Sequence, residues 1–368
     1  MNLNKIAGMT VAFLLLAVVQ VSAQRSATPP TPPTKNLFPA NHRSIQYTGR
    51  IDFSTPKKPK FWAPGVYFST KFVGTFVDIT VIDEMKGGTN HNSIAVSVDG
   101  GTPVVYTLKD INNKIKVASK LEPGQHTIAV CKLTESSVGF IQILNISCEG
   151  LMNLPLKSQR KIEFIGNSTT AGSGLDVSRT PCGKGQWYDQ ENAYESYGPV
   201  TARMLQAQWH LTALSGVGLM KSVNTRYTMP EVYDKMDAST NMEPWSFDRY
   251  HPDVITVCLG ENDGVQDSTA FTSAYVKFIG DLREHHPKAH IVCLSSPIAD
   301  ASLNKVLQHY ITGVTNYVND HGDKNVSKFF FSRSYTSGCN GHPDKKEHQL
   351  IAKELADYIA STMQWTSL

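Results

Sequence analysis

A change of hydrophobic period near residue 155 restricts this chain more than any other feature. From about 43 up to that point, short apolar or alternating runs at 65–68, 71–80, 92–98, 126–132 and 140–147 are separated by turn residues. Alternation at a period of two puts every second side chain on one face of a sheet. Asp99-Gly100-Gly101 supplies residues that tolerate the left-handed backbone of a tight hairpin. No stretch in this half sustains a helical period, so it is predicted to be an antiparallel β-sandwich of jelly-roll type.

After about 160 the pattern is different. Residues 161–165 form a short apolar run into Gly166, and Tyr197, Val200, Thr201, Met204 and Leu205 recur at helical spacing. Strand-like runs return at 253–259, 290–295 and 328–332, with helical patterns near 269–284, 301–319 and 345–363. In the last of these, Ile351, Leu355, Tyr358 and Ile359 make one stripe. Strands alternating with helices predict a mostly parallel sheet covered on both faces, with its chemistry at the carboxyl ends of the strands.

The N-terminal 23 residues have the anatomy of a secretory signal: Lys5, an apolar stretch from Met9 to Val19, and Val21-Ser22-Ala23 as a cleavage site. The apolar stretch is shorter than the roughly 20 residues of a membrane span. A secreted or periplasmic protein without a membrane span is therefore expected after cleavage at Ala23. Residues 24–42 carry five of the 19 prolines and read as a Pro/Thr-rich tether. The expected organisation is thus signal 1–23, tether 24–42, β-sandwich 43–155 and α/β domain 156–368. The net charge of +3 is the difference between 35 basic and 32 acidic residues, too small for a nucleic-acid footprint.

Three strand ends carry unusual residues: Gly166-Asn167-Ser168, Gly260-Glu261-Asn262-Asp263-Gly264 and Asn340-Gly341-His342-Pro343. Ser215-Gly216-Val217-Gly218 lies between the first two. A serine hydrolase needs a nucleophile, a base for its proton and donors aimed at the developing oxyanion. Ser168 and His342 fit the first two roles. The N–H groups of Ser168 and Gly216 and the Asn262 amide fit the third. A turn, a helix start or a calcium loop would account for each segment alone, although the acidic spacing of an EF-hand is absent. Their joint occurrence, in this order, favours the hydrolase.

These residues resemble the SGNH (GDSL-type) hydrolase superfamily, with blocks at Gly166-Asn167-Ser168, Gly216, Gly260 to Asp263 and His342. The chain is still more similar to carbohydrate esterase family 2. Gly49-Arg50, 65–69, 72–75, 98–100, 215–219, 245–247 and His342-Pro343 with His348 carry that likeness, which covers about residues 45–365. It implies a flavodoxin-like three-layer α/β/α domain behind a jelly roll. It also implies an exported enzyme that removes acetyl groups from polysaccharide or oligosaccharide through a serine acyl-enzyme, without cofactor or metal.

The chain departs from that pattern at several positions. Asn167 stands for Asp, keeping an acceptor oxygen but losing the charge. Asn340 stands for the Asp that would orient and charge-compensate the histidine; Asn can orient but not compensate, and the resemblance implies a Ser–His dyad of the kind in which a backbone carbonyl orients the ring. Gly341 replaces a tryptophan, leaving Trp187 as the candidate sugar platform, whereas Trp209 and Trp245 read as core. The two Asp-to-Asn changes and the missing tryptophan keep a rival open, a carbohydrate-binding protein on a degenerate esterase scaffold. Among the six cysteines, Cys258 and Cys293 read as buried thiols, and Cys131 and Cys148 have no assigned pairing. A Cys182–Cys339 bridge would tie the histidine loop to the nucleophile loop.

Overall fold

The structure, a computed structural model, describes residues 34–240 and 243–365. Residues 1–33, read above as signal and the start of a tether, lie outside that range. The first half forms strands β1 (Asn36–Pro39), β2 (Ile45–Thr48), β3 (Lys60–Phe61), β4 (Tyr67–Asp83), β5 (Ser93–Val98), β6 (Val104–Thr107), β7 (Asn112–Ser119), β8 (Gln125–Lys132) and β9 (Ile141–Met152), all paired antiparallel. The runs at 65–68 and 71–80 belong to one 17-residue strand, β4. It bends at Gly74 (φ 125), where its register on β9 shifts, and passes from β8 to β7 along the same edge. Phe68, Phe72, Val77 and Ile79 of β4 share one core with Ile94, Ile128, Val130 and Ile143. The Asp99-Gly100 turn joins β5 to β6 with positive φ at both residues.

Two expectations need correction here. Residues 36–39, read as tether, pair with β9 from Asn36↔Cys148 to Pro39↔Asn145, because the proline sits on an edge where no donor is needed. β7 was not foreseen: with four polar residues among its first five, NNKIK, it reads as loop, yet as an edge strand it needs only one inward apolar face.

The second half is a five-stranded parallel sheet in the order β11-β10-β12-β13-β14, formed by β10 (Lys161–Gly166), β11 (Gln208–Ala213), β12 (Val254–Cys258), β13 (His290–Leu294) and β14 (Val326–Phe329). This is the flavodoxin-like order, whose switch point lies at the end of β10. Helices α1 (Ser168–Ala171), α2 (Tyr197–Met204), α3 (Met229–Val232), α4 (Ser268–His285), α5 (Ala301–Asp320) and α6 (Lys345–Met363) complete the domain. Alternating side chains of β12 separate the two cores. Ile255 and Val257 pack with α4 and α5, while Val254 and Cys258 pack with α2 and α6. β14 starts two residues before the expected run, because its register on β13 runs from Ile291↔Val326 to Leu294↔Phe329. The aromatic residues that follow turn off the sheet, with Phe331 N–H held by Ser295 Oγ at 3.0 Å.

The two sheets belong to one compact unit starting at Thr34. Arg50, from the turn after β2, is buried among α/β residues, with its guanidinium on the Tyr233 and Lys235 carbonyls and Thr212 Oγ1. Trp209 on β11 stacks on Tyr67 of β4 at 3.9 Å and donates to the Gly65 carbonyl at 2.8 Å. Trp209 is thus core, but core between the sheets.

Candidate active site

Ser168 is the first residue of α1, immediately past β10, and Asn167 is the N-cap. Asn167 Oδ1 accepts the Thr169 N–H at 3.1 Å, so the amide performs the bracing for which an acceptor oxygen suffices. His342 Nε2 lies 2.8 Å from Ser168 Oγ. The ring is fixed from behind by the Cys339 carbonyl, 3.2 Å from Nδ1, which sets Nδ1 as donor and leaves Nε2 free to accept. Burial lowers the affinity of this imidazole for a proton below its usual range; the Cys339 and Asn340 carbonyls and the Glu135 charge act the other way.

The ring is oriented by main chain, as in the expected dyad arrangement, and not by the Asn340 side chain. Asn340 is exposed with left-handed backbone, and among the described residues its side chain makes no hydrogen bond to the ring. The 3-10 turn Cys339–Gly341 turns main-chain carbonyls toward the imidazole instead. That turn is tied down by a Cys182–Cys339 disulfide and by the Cys339 N–H on the Gly174 carbonyl at 2.9 Å. Cys131, Cys148, Cys258 and Cys293 are buried free thiols. Because the bridge closes a separation of 157 residues, replacing Cys182 and Cys339 by serine should cost about 2–5 kcal/mol in thermal unfolding. It should also lower turnover at 25 °C by loosening the carbonyl behind His342.

Gly216 and Asn262 line the same cleft as Ser168 and His342. Gly216 has φ 77, and a Cβ there would lie 1.9 Å from the Val223 carbonyl oxygen, so the turn requires glycine. Among the described residues neither the Ser168 nor the Gly216 N–H has a protein acceptor. Asn262 uses one N–H on the Val217 carbonyl at 2.9 Å, leaving the other for the cleft. Asp263 receives the N–H groups of Leu219, Met220 and Lys221 at 2.6–3.0 Å, which shapes the loop beyond Gly216. Half-buried Glu261 lies outside the residues lining the cleft, and burial with Asp263 raises its carboxyl.

The cleft holds about 720 Å³. Trp187, 52% exposed, lines it. Trp245 is buried and faces the Arg50 guanidinium. Sequence reasoning missed Lys86, Glu135 and Ser137, which reach this cleft from the β-sheet domain. No local motif marks them, since they arrive only through the packing of the two sheets.

The carbohydrate esterase 2 N-terminal family matches residues 47–155, and the GDSL-like lipase/acylhydrolase family matches 164–327. A family two carbohydrate esterase from Clostridium thermocellum, solved in complex with cellohexaose, superposes with a TM-score of 0.79 at 31% identity over 88% of this chain and 100% of that one. The chain belongs to carbohydrate esterase family 2. A family two esterase from Cellvibrio japonicus superposes with a TM-score of 0.82 at 25% identity, covering 90% of this family member and 99% of its relative. By sequence it is 32% identical over 338 residues to the cellulase/esterase CelE of Acetivibrio thermocellus, covering 87% of this chain but only 40% of CelE. It is 28% identical over 349 residues to an acetylxylan esterase / glucomannan deacetylase of Cellvibrio japonicus, covering 90% of this chain and 94% of that enzyme.

Proposed function

We propose that this family 2 protein is an exported carbohydrate acetyl esterase working through a Ser168–His342 dyad. The observation that carries the reading is the 2.8 Å bond from His342 Nε2 to Ser168 Oγ, in a cleft that Gly216 and Asn262 also line. His342 takes the Ser168 proton as Oγ attacks the acetyl carbonyl. The Ser168 and Gly216 N–H groups and the Asn262 amide receive the oxyanion. The imidazolium then protonates the departing sugar oxygen, and a water activated by the same ring releases acetate. Trp187 offers the apolar face on which a sugar ring can lie. A binding protein without turnover has no use for a base held against the serine, so the dyad favours the esterase over that rival. Export is supported by the signal-like residues 1–23 and by the Cys182–Cys339 bridge, a bond of oxidising compartments.

Because burial lowers His342, the ring stays neutral and basic below its ordinary value of 6.5. The acid limb of kcat/KM should therefore fall at a pH under 6.5, read from initial rates between pH 4 and 9. The functional test is acetate release from acetylated xylan, glucomannan and pectin, beginning with the first two because relatives carry those names. A fluorophosphonate should also label Ser168. Absence of both acetate and label would reject the proposal.

A further inference from the structure

Gly216 is braced from both sides. After it, the Val217 carbonyl is held by Asn262. Before it, the Ser215 N–H donates to Glu135 Oε2 at 2.7 Å. Glu135 does not belong to the α/β domain: it follows β8 and caps the 3-10 turn Ser136–Val138. It is 2% exposed, yet it lines the cleft. Its other oxygen accepts the Ser137 hydroxyl. Its own N–H is held by Glu191 Oε2 at 2.9 Å and its carbonyl by Lys132 Nζ at 3.2 Å. Every polar handle of this residue is therefore fixed, and one of them fixes the turn that carries the Gly216 N–H.

We propose that Glu135, contributed by the β-sheet domain, is a positioning residue of the active site: it holds the Ser215-Gly216 turn and presents to His342 the negative charge that Asn340 lacks. The inference rests on the esterase reading above and deepens it, because it makes the N-terminal domain part of the catalytic apparatus. Burial and the Glu135 charge push the neighbouring Glu191 carboxyl well above its usual range. The same charge opposes the burial that lowers His342. Burial disfavours the charge of Lys132, and Glu191, Asp83, Glu135 and Asp237 favour it, so Glu135 faces Lys132 as well as His342. Lys86, which reaches the Ser239 hydroxyl, and exposed Arg226 line the cleft. His348, behind the ring on α6, is pushed down to about 3 by burial and is neutral.

The two roles separate by substitution. Glu135→Gln keeps an acceptor for Ser215 and removes the charge. Its kcat should fall about tenfold at unchanged KM, and its acid limb should move to lower pH because the ring has lost a group that favours its protonation. Glu135→Asp keeps the charge but draws back by one methylene from Ser215, so kcat should fall while the acid limb stays in place. Ser168→Ala is assayed beside them. Turnover surviving in that variant rejects the esterase reading itself. A silent Ser168→Ala together with a Glu135→Gln enzyme of wild-type kcat and acid limb rejects this inference alone. If the glutamine variant does not fold, the aspartate variant decides, and a wild-type kcat there overturns the proposal.

Discussion

Ser168→Ala should lower kcat for acetate release by about 10⁴-fold, equivalent to about 5.5 kcal/mol of transition-state stabilisation, with KM nearly unchanged. The size follows from what the substitution removes. Ser168 is the only atom source for the acyl-enzyme in the proposed route, and its Oγ is the group that His342 Nε2 contacts at 2.8 Å. The Gly216 N–H, the Asn262 amide and Trp187 stay in place, so the acetylated sugar still binds. A residual rate above water is expected from those donors alone. The fold should be indifferent, because Thr169 N–H remains capped by Asn167 and the hydroxyl makes no other bond among the described residues. Initial rates with acetylated glucomannan, isothermal binding of the same glycan and a thermal melt test this together. A loss of less than tenfold would remove Ser168 from the mechanism, and loss of binding with loss of rate would make it a ligand contact instead.

How much of this was legible in the sequence depends on whether a feature is local. Helices α4, α5 and α6 sit within a residue or so of where their stripes placed them, because a long amphipathic face is written in consecutive residues. Ser168, Gly216 and Asn262 stood out as candidates because each lies within a few residues of a strand end, where an open parallel sheet concentrates loops, whereas His342 lies well past the end of β14 at Phe329 and stood out by its His-Pro ahead of α6. β4 was read as two runs because the polar pair Ser69-Thr70 interrupts the apolar period, while both residues stay paired with β2 and β8. A backbone carbonyl behind the histidine was expected from the dyad, but which residue supplies it was not legible, because the carbonyl of Cys339 is carried by every residue type. Glu135 was invisible for a related reason, as were the partners of Arg50, although Gly49-Arg50 itself carried part of the family likeness. Glu135 and Arg50 both act across the contact between the two domains, where no spacing rule connects positions 50 with 163 or 135 with 215.

Arg50→Ala should destabilise the protein by about 3–5 kcal/mol and separate the unfolding of its two domains. The Arg50 guanidinium is 2% exposed and approaches Glu163 Oε1 at 3.4 Å. It also donates to the Tyr233 carbonyl at 2.6 Å, the Lys235 carbonyl at 2.5 Å and Thr212 Oγ1 at 3.0 Å. Burial opposes the charged form of Arg50 and the Glu163 carboxylate favours it. His210 Nε2 can accept the Arg50 Nε–H at 3.2 Å because burial pushes that ring down to about 3, keeping it neutral. Truncation leaves Glu163 in the interior with the Thr212 and Tyr233 hydroxyls and the His286 ring at 3.7 Å, and orphans two carbonyls next to α3. A buried charge without its partner costs more than the pair contributed, so the loss should exceed that of any surface ion pair here. Arg50→Met combined with Glu163→Gln removes both charges while filling the volume, and should recover a good part of the loss. Urea unfolding followed by tryptophan fluorescence and far-ultraviolet circular dichroism reads both effects. In the wild type the two signals should coincide, because Arg50 and the Trp209–Tyr67 stack bind the sheets into one cooperative body. In Arg50→Ala the fluorescence of Trp209 and Trp245, which lie at that contact, should change at lower urea than the helical signal. Coincident transitions with an unchanged midpoint would show that the guanidinium is dispensable and that apolar packing alone joins the domains.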